Sequence, residues 1–224
     1  MKKLLLVGAL ALSGFSALNA QEFRFGPKAG YSLSMLKAET DGMKMNLDPK
    51  SSFYAGGFVE YKFSDKVGIM AEVLYSQLGG KQDETFTTVI NGAVVTASAK
   101  TEYTFGTVQI PVGAKYFATE NFALALGLNV GIIATAEGEF DVSGSVSDGS
   151  GQNVSGSQAG KVDIKDEINS LNLAPFIGAE YTLENGLFFD ARYNLGVSNL
   201  SKTSNETVKN SFVQVGIGFK FGGN

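Results

Sequence analysis

A chain of 224 residues with 18 basic and 22 acidic side chains, and a net charge of −4, is long enough for one all-β domain. It is too acidic to offer the basic surface that nucleic acid requires. It contains no cysteine and no histidine, which excludes disulfide frameworks, thiolate zinc sites, cysteine nucleophiles and every Ser-His or His-Asp catalytic pair.

The chain opens with Lys2 and Lys3, an apolar run over 4–18, and the small-residue end Ala17-Leu18-Asn19-Ala20 before Gln21. That is the layout of a secretory signal peptide over 1–20, with cleavage expected after Ala20 and a β-barrel domain over 21–224. The run is shorter than the roughly 20 residues of a membrane-spanning helix. Loss of Lys2 and Lys3 leaves the exported domain more acidic still.

From residue 23 onward the recurring pattern is strict apolar–polar alternation, the period of a strand with two unlike faces. It is first seen over 23–36, where Phe23, Phe25, Ala29, Tyr31 and Leu33 alternate with Arg24, Gly26, Lys28, Gly30 and Ser32. The pattern returns over 53–63, 67–76, 108–116, 122–132, 171–183, 187–198 and 212–221. Each segment is close to the roughly 9–11 residues that a tilted membrane-spanning strand needs, and the even count suits a single-chain barrel. The connections 64–66, 118–121 and 184–186 are tight, whereas 37–52, 77–107, 134–170 and 199–211 are long. Short and long connections take turns, as they do in an eight-stranded antiparallel up-and-down transmembrane β-barrel with periplasmic turns and external loops.

Within the second long connection, 85–90 and 93–99 flank Asn91-Gly92, a type I′ hairpin signal. The third and fourth strands are therefore expected to rise beyond the membrane as a ribbon. The Gly/Ser-rich stretch 143–160 reads as flexible. Pro27, Pro111 and Pro175 fall inside strands, where each removes a ladder donor, so bulges or ladder ends are expected there.

A soluble ligand-binding barrel shows the same alternation. Here, however, the polar faces hold Gly, Ala and Ser with isolated charges rather than the Lys and Glu of a wet surface, and small residues suit a narrow packed lumen. The aromatics sort by strand end. Phe23, Phe25, Tyr61, Phe63, Tyr116, Phe117, Phe122, Tyr181, Phe189, Phe219 and Phe221 lie beside the short turns or the termini, and Tyr31, Phe53, Tyr75, Tyr103, Phe105 and Tyr193 toward the long ones. Two such rings match interfacial girdles.

The stretch Val108-Gln109-Ile110-Pro111-Val112-Gly113-Ala114-Lys115-Tyr116 resembles a segment of the PorT-like outer-membrane β-barrel family. Gly26-Pro27-Lys28-Ala29-Gly30-Tyr31-Ser32 is similar to that family's first strand, and Phe53-Tyr54-Ala55-Gly56-Gly57-Phe58 to its second. The resemblance implies an eight-stranded barrel in the outer membrane of a Gram-negative cell, and little about activity.

Ten charges fall on the inward faces: Arg24, Lys28, Glu60, Lys62, Glu72, Lys115, Glu180, Asp190, Arg192 and Lys220. Glu60, Glu72, Glu180 and Asp190 invite an acid/base reading. An internal ion-pair lattice explains them better, because charges in a narrow lumen must be paired. Asp141, Asp148, Asp163, Asp166 and Glu167 are oxygen donors for Ca²⁺ in principle, but their spacing matches no established loop and a solvated acidic loop is expected. No catalytic residue, cofactor or metal is expected. The leading expectation is a non-enzymatic, monomeric barrel held in outer-membrane lipid, displaying external loops for envelope structure, adhesion or a surface or host partner. Strand addition on the external ribbon is expected to involve Thr87, Val89, Asn91, Gly92, Val94 and Thr96. The alternatives are a narrow solute channel and a secreted ligand-binding barrel.

Overall fold

The computed structural model describes residues 22–147 and 153–223; the segment assigned to the signal peptide, and Asp148, lie outside them. The described strands are β1 (Glu22–Thr40), β2 (Met43–Asn46), β3 (Asp48–Lys62), β4 (Val67–Ile90), β5 (Ala93–Phe117), β6 (Phe122–Ser147), β7 (Asn153–Asp163), β8 (Leu171–Thr182), β9 (Leu187–Asn194), β10 (Glu206–Phe219) and β11 (Phe221–Gly222). Eight of them, β1, β3, β4, β5, β6, β8, β9 and β10, pair antiparallel in that order, and β10 returns to β1 from Lys28↔Gly218 to Thr40↔Glu206. The sheet is a closed ring. The eight expected segments are its eight staves, and β2, β7 and β11 are additions on β1, β6 and β1.

The two faces of the wall differ sharply. Ile177 is 61% exposed and Leu126 66%, while Glu60 is 1% exposed and Arg192 6%. On β4 the outward Val67, Ile69, Val73 and Tyr75 are exposed, while Met70, Glu72, Leu74 and Ser76 face a packed interior. A soluble ligand barrel has the reverse arrangement, so this wall is built for hydrocarbon outside. Inward glycines make room for the side chains opposite. A Cβ on Gly216 would collide with the Tyr54 hydroxyl, and one on Gly218 with the Phe188 ring.

Three aromatics assigned to the girdles lie on the lumen side instead, Phe117, Phe105 and Tyr103, the last packed against the same apolar cluster as Phe105. Phe117 and Phe105 are 5% and 3% exposed. Phe117 shares the parity of the buried Lys115, and Phe105 that of the buried Thr107 and Gln109, so strand geometry turns both rings into the lumen. Tyr31, Phe53, Tyr75 and Tyr193 do form an outward ring near one end. Phe25, Phe63, Tyr116, Tyr181, Phe189 and Phe221 form another at the opposite end.

Pro27, Pro111 and Pro175 sit at interrupted ladders rather than at bulges. Pro27 stays paired with Gly57, but the β1 ladder to β10 and β11 skips it. Pro111 pairs with Asn129, while its β4 side is unpaired between Ala71↔Val112 and Leu74↔Gln109. Pro175 lies just outside the β8–β9 ladder, which begins at Phe176↔Asn194. The register shifts lie between Pro49, the fourth proline, and Tyr54, and between Gly106 and Thr107.

The long connections are mostly strand. Of the Gly/Ser stretch expected to be flexible, 148–152 lie outside the described residues, while 143–147 and 153–160 are strand, the end of β6 and the start of β7, in a ladder that runs from Glu137↔Asp163 to Ser147↔Asn153. Backbone pairing to β5 on one side and between these two strands supplies the order that composition does not. If the outward wall lies in lipid, Ile177→Arg near the middle of β8 should destabilise the barrel by about 2–4 kcal/mol. Urea unfolding of protein refolded into lipid vesicles, followed by far-ultraviolet circular dichroism, measures this.

Candidate functional site

Two regions concentrate polar chemistry: the lumen, and a sheet that continues the wall beyond one rim. In the lumen, the short-turn mouth carries Arg24 and Lys62, both half-buried beside Glu22 at 2.6 Å and 3.5 Å. Deeper in, Lys115 Nζ donates to Glu60 and Glu180 at 2.6 Å each, and Lys220 Nζ donates to Glu180 at 2.6 Å. Arg24 reaches the same Glu60 at 3.7 Å. The next tier joins Lys28 to Asp190 at 2.7 Å and to Glu72 at 3.2 Å, while Arg192 holds Glu72 with a two-pronged grip at 2.8 Å and 2.9 Å. Each of these two buried tiers sets two cations against two carboxylates. Their charges balance, as low-dielectric surroundings demand.

Aromatic rings line the same space. The Arg192 guanidinium lies 4.8 Å from the Phe176 centroid, Lys220 lies 5.4 Å from that of Phe188, and Phe58 meets Phe188 edge-on. Above the ions is a neutral tier, in which Asn129 donates to Gln109 at 2.9 Å and to Asn194 at 3.2 Å. At the far mouth Leu36, Phe105, Ile133, Ala136, Ile168 and Leu200 pack together as an apolar stopper. The four carboxylates raised as acid/base candidates all lie among these contacts, each against at least one cation.

Lys50 was not among the expected inward charges. It is 5% exposed, at the parity of the buried Ser52 and Tyr54, and extending the 53–63 alternation upstream by three residues would have found it. Its ammonium donates to Glu102 at 2.5 Å and to Thr104. Glu102 lies beyond the aromatic ring, and the hydrogen bond from Lys50 holds its carboxyl below the usual glutamate range.

Beyond that rim, β4, β5, β6 and β7 continue as a four-stranded sheet. Asn91 and Gly92 have φ of 51° and 84°, the two positive values that a type I′ turn requires. Thr87 opposes Thr96 with hydroxyls 3.3 Å apart, and Val89 opposes Val94. The expected two-stranded ribbon needs correcting here. β6 covers the outer edge of β5 from Val94↔Ser147 to Gly106↔Thr135, so Val94 and Thr96 lie on an interior strand. Among the described residues, the free edges belong to β4 and β7.

The faces of this sheet also differ. Tyr103 packs on the stopper with Phe105, so odd positions of β5 continue the lumen side. That side carries Val95, Val142, Val146 and Val154, with the Phe140 ring laid over Gly160. The opposite side carries Thr85, Thr87, Thr96, Ser98, Ser143, Ser145, Ser155 and Ser157, above a charged row holding Lys81, Glu102, Glu139 and Lys161. Lys161 bridges Glu137 and Glu139 at 2.6 Å and 3.0 Å, and these hydrogen bonds raise its pKa. Of the acidic residues considered for Ca²⁺, Asp141 faces Lys100 across the ladder, and Asp163 accepts from the Lys165 amide at 2.8 Å. Asp166 and Glu167 lie in the short 3-10 turn Lys165–Glu167. Among the described residues no group of three or more carboxylates converges as a metal site.

The family model described as outer membrane protein beta-barrel domain matches residues 19–202. Among solved structures, the attachment invasion locus protein Ail of Yersinia pestis, in complex with the heparin analogue sucrose octasulfate, is 18% identical. The match covers 89% of this chain and 99% of that one, with a TM-score of 0.39. Neisserial surface protein A is 15% identical over 91% of this chain and 100% of its own, with a TM-score of 0.37. OprG of Pseudomonas aeruginosa is 15% identical over 88% and 95%, with a TM-score of 0.38. No curated protein matches the chain.

Removing Glu72 strands both Arg192 and Lys28. Glu72→Ala should therefore cost about 3–5 kcal/mol, whereas Glu167→Ala in the external loop should stay within about 0.5 kcal/mol. Denaturant midpoints of the refolded proteins compare the two.

Proposed function

The chain belongs to the outer membrane protein β-barrel domain family, and we propose that within the outer membrane it acts as a non-enzymatic display barrel. A rigid anchor in the lipid carries the β4–β7 sheet outward for adhesion or partner binding. The observation that carries this reading is the contrast between the two regions. The lumen is filled tier by tier with buried ion pairs and packed side chains, while among the described residues the external sheet keeps free edges and a broad exposed surface. Surface area and unpaired strand edges are the means by which a sheet recruits a partner. The residues proposed to matter are Thr87 and Val89 on the free strand and the Asn91-Gly92 turn beside them. The segment 108–116 supports placing the chain among the PorT-like barrels, and residues 1–20 are proposed to direct export. Within its own membrane the barrel is proposed to be a monomer.

Replacing residues 85–98 by Asn-Gly joins Glu84 to Ala99, which already face each other across the ladder, and so removes the outer part of the β4–β5 hairpin while keeping register. Cells carrying this variant should retain the heat-modifiable barrel at wild-type levels and lose surface binding; unchanged binding would refute the display role of the hairpin. A narrow channel requires water to pass the ion-pair tiers and the stopper. Planar-bilayer recordings of purified protein should therefore show no persistent open current, and a stable conductance would favour the channel instead.

A further inference from the structure

The outer part of β4 is an edge without the usual protection. Natural edge strands are blunted by lysines, prolines, bulges or a covering element. Here Thr85-Phe86-Thr87-Thr88-Val89-Ile90 carries no charge and no proline, is β-branched or aromatic throughout, and is largely exposed, with Phe86 at 65% and Val89 at 65%. β3 leaves β4 after Asp48↔Lys81, so nothing among the described residues pairs with this edge beyond Lys81.

The hairpin dictates which atoms the edge presents. A two-residue turn makes Ile90 and Ala93 a mutually hydrogen-bonded pair, and hydrogen-bonded pairs then recur at every second residue. Thr88, Phe86 and Glu84 therefore spend their backbone groups on β5. Asp83, Thr85, Thr87 and Val89 turn theirs outward. Their N–H and C=O groups form an open ladder.

We propose that this edge pairs with the same edge of a second copy of the chain standing in an opposing membrane. The sequence is self-complementary in one antiparallel register. Thr87 meets the partner's Thr87, and Thr85 meets the partner's Val89. Thr85, Thr87 and Val89 then each face another outward-turned residue, and Asp83 falls opposite the partner's Asn91, far from the partner's Asp83, so no like charges oppose. Two copies in one membrane cannot adopt this pairing, because β4 of each rises away from the bilayer at the tilt of about 35–45° set by the barrel, and two rising strands are never antiparallel. A copy in a facing membrane supplies a descending β4. The resulting contact runs β7-β6-β5-β4 into β4-β5-β6-β7 and links cell to cell. This inference rests on the display reading and names its partner.

The test is sedimentation of Gram-negative host cells expressing the full chain, alone and in two-colour mixtures. Thr87→Pro removes one outward N–H and no bond to β5, a placement an edge strand tolerates. Thr87→Lys puts two ammonium groups opposite one another at the centre of the pairing. Ser157→Lys adds the same charge to β7, away from β4. Wild-type cells should settle together, and both Thr87 variants should lose settling at equal surface level and unchanged heat-modifiable mobility, while Ser157→Lys settles as wild type. In mixtures, wild-type cells should exclude Thr87→Pro cells and cells lacking the protein. Unchanged settling of both Thr87 variants overturns the proposal. Equal capture of cells lacking the protein overturns self-pairing while leaving display intact. Resistance of residues 85–98 to external protease on intact cells would overturn both.

Discussion

The seam between β1 and β10 is the contact on which the rest depends. In hydrocarbon an unpaired backbone group has no water to turn to, so a sheet survives there only if its first and last strands meet. The ladder from Lys28↔Gly218 to Thr40↔Glu206 makes that meeting. Once the ring is closed, side-chain parity is set for all eight staves together, because a slip of one residue on any strand would drive its charges into lipid. The lumen is the outcome of that parity. Lys28, Glu72 and the Asp190–Arg192 pair are far apart in the chain, and they share a tier because three staves present them at one height.

The eight staves were readable in the sequence because each one separates lipid from a packed interior, and that separation writes a period of two. The inward direction of the charges followed from the same pattern. Their pairing did not. Lys28 meets Asp190 across 162 positions, and facing inward says nothing about the height at which a side chain lies once strands are tilted and staggered. Phe105 and Phe117 show a related failure: nearness to a strand end suggested a girdle, but parity decided where the rings went.

Outside the membrane the signal weakens. Along the ends of β6 and β7 both faces meet water, and Gly and Ser dominate, so composition suggested flexibility. The alternation of Val142, Val146, Val154 and Val162 on one face was present but thin. Order there comes from neighbours: β5 lends a template to β6, and β6 to β7. The same ladder that must close within lipid is free to stay open above it, which is why the outer part of β4, and β7, keep edges that the staves within the barrel do not have.

The prolines have a consequence for how the ring resists force. Pro27 withholds its bond from the β1–β10 joint, Pro111 from the β4–β5 joint, and Pro175 from the β8–β9 joint. No joint carries two of these gaps, and the other flank of each proline is fully stitched. These three gaps are thus spread around the circumference instead of forming a single line of perforation along which the cylinder would unzip.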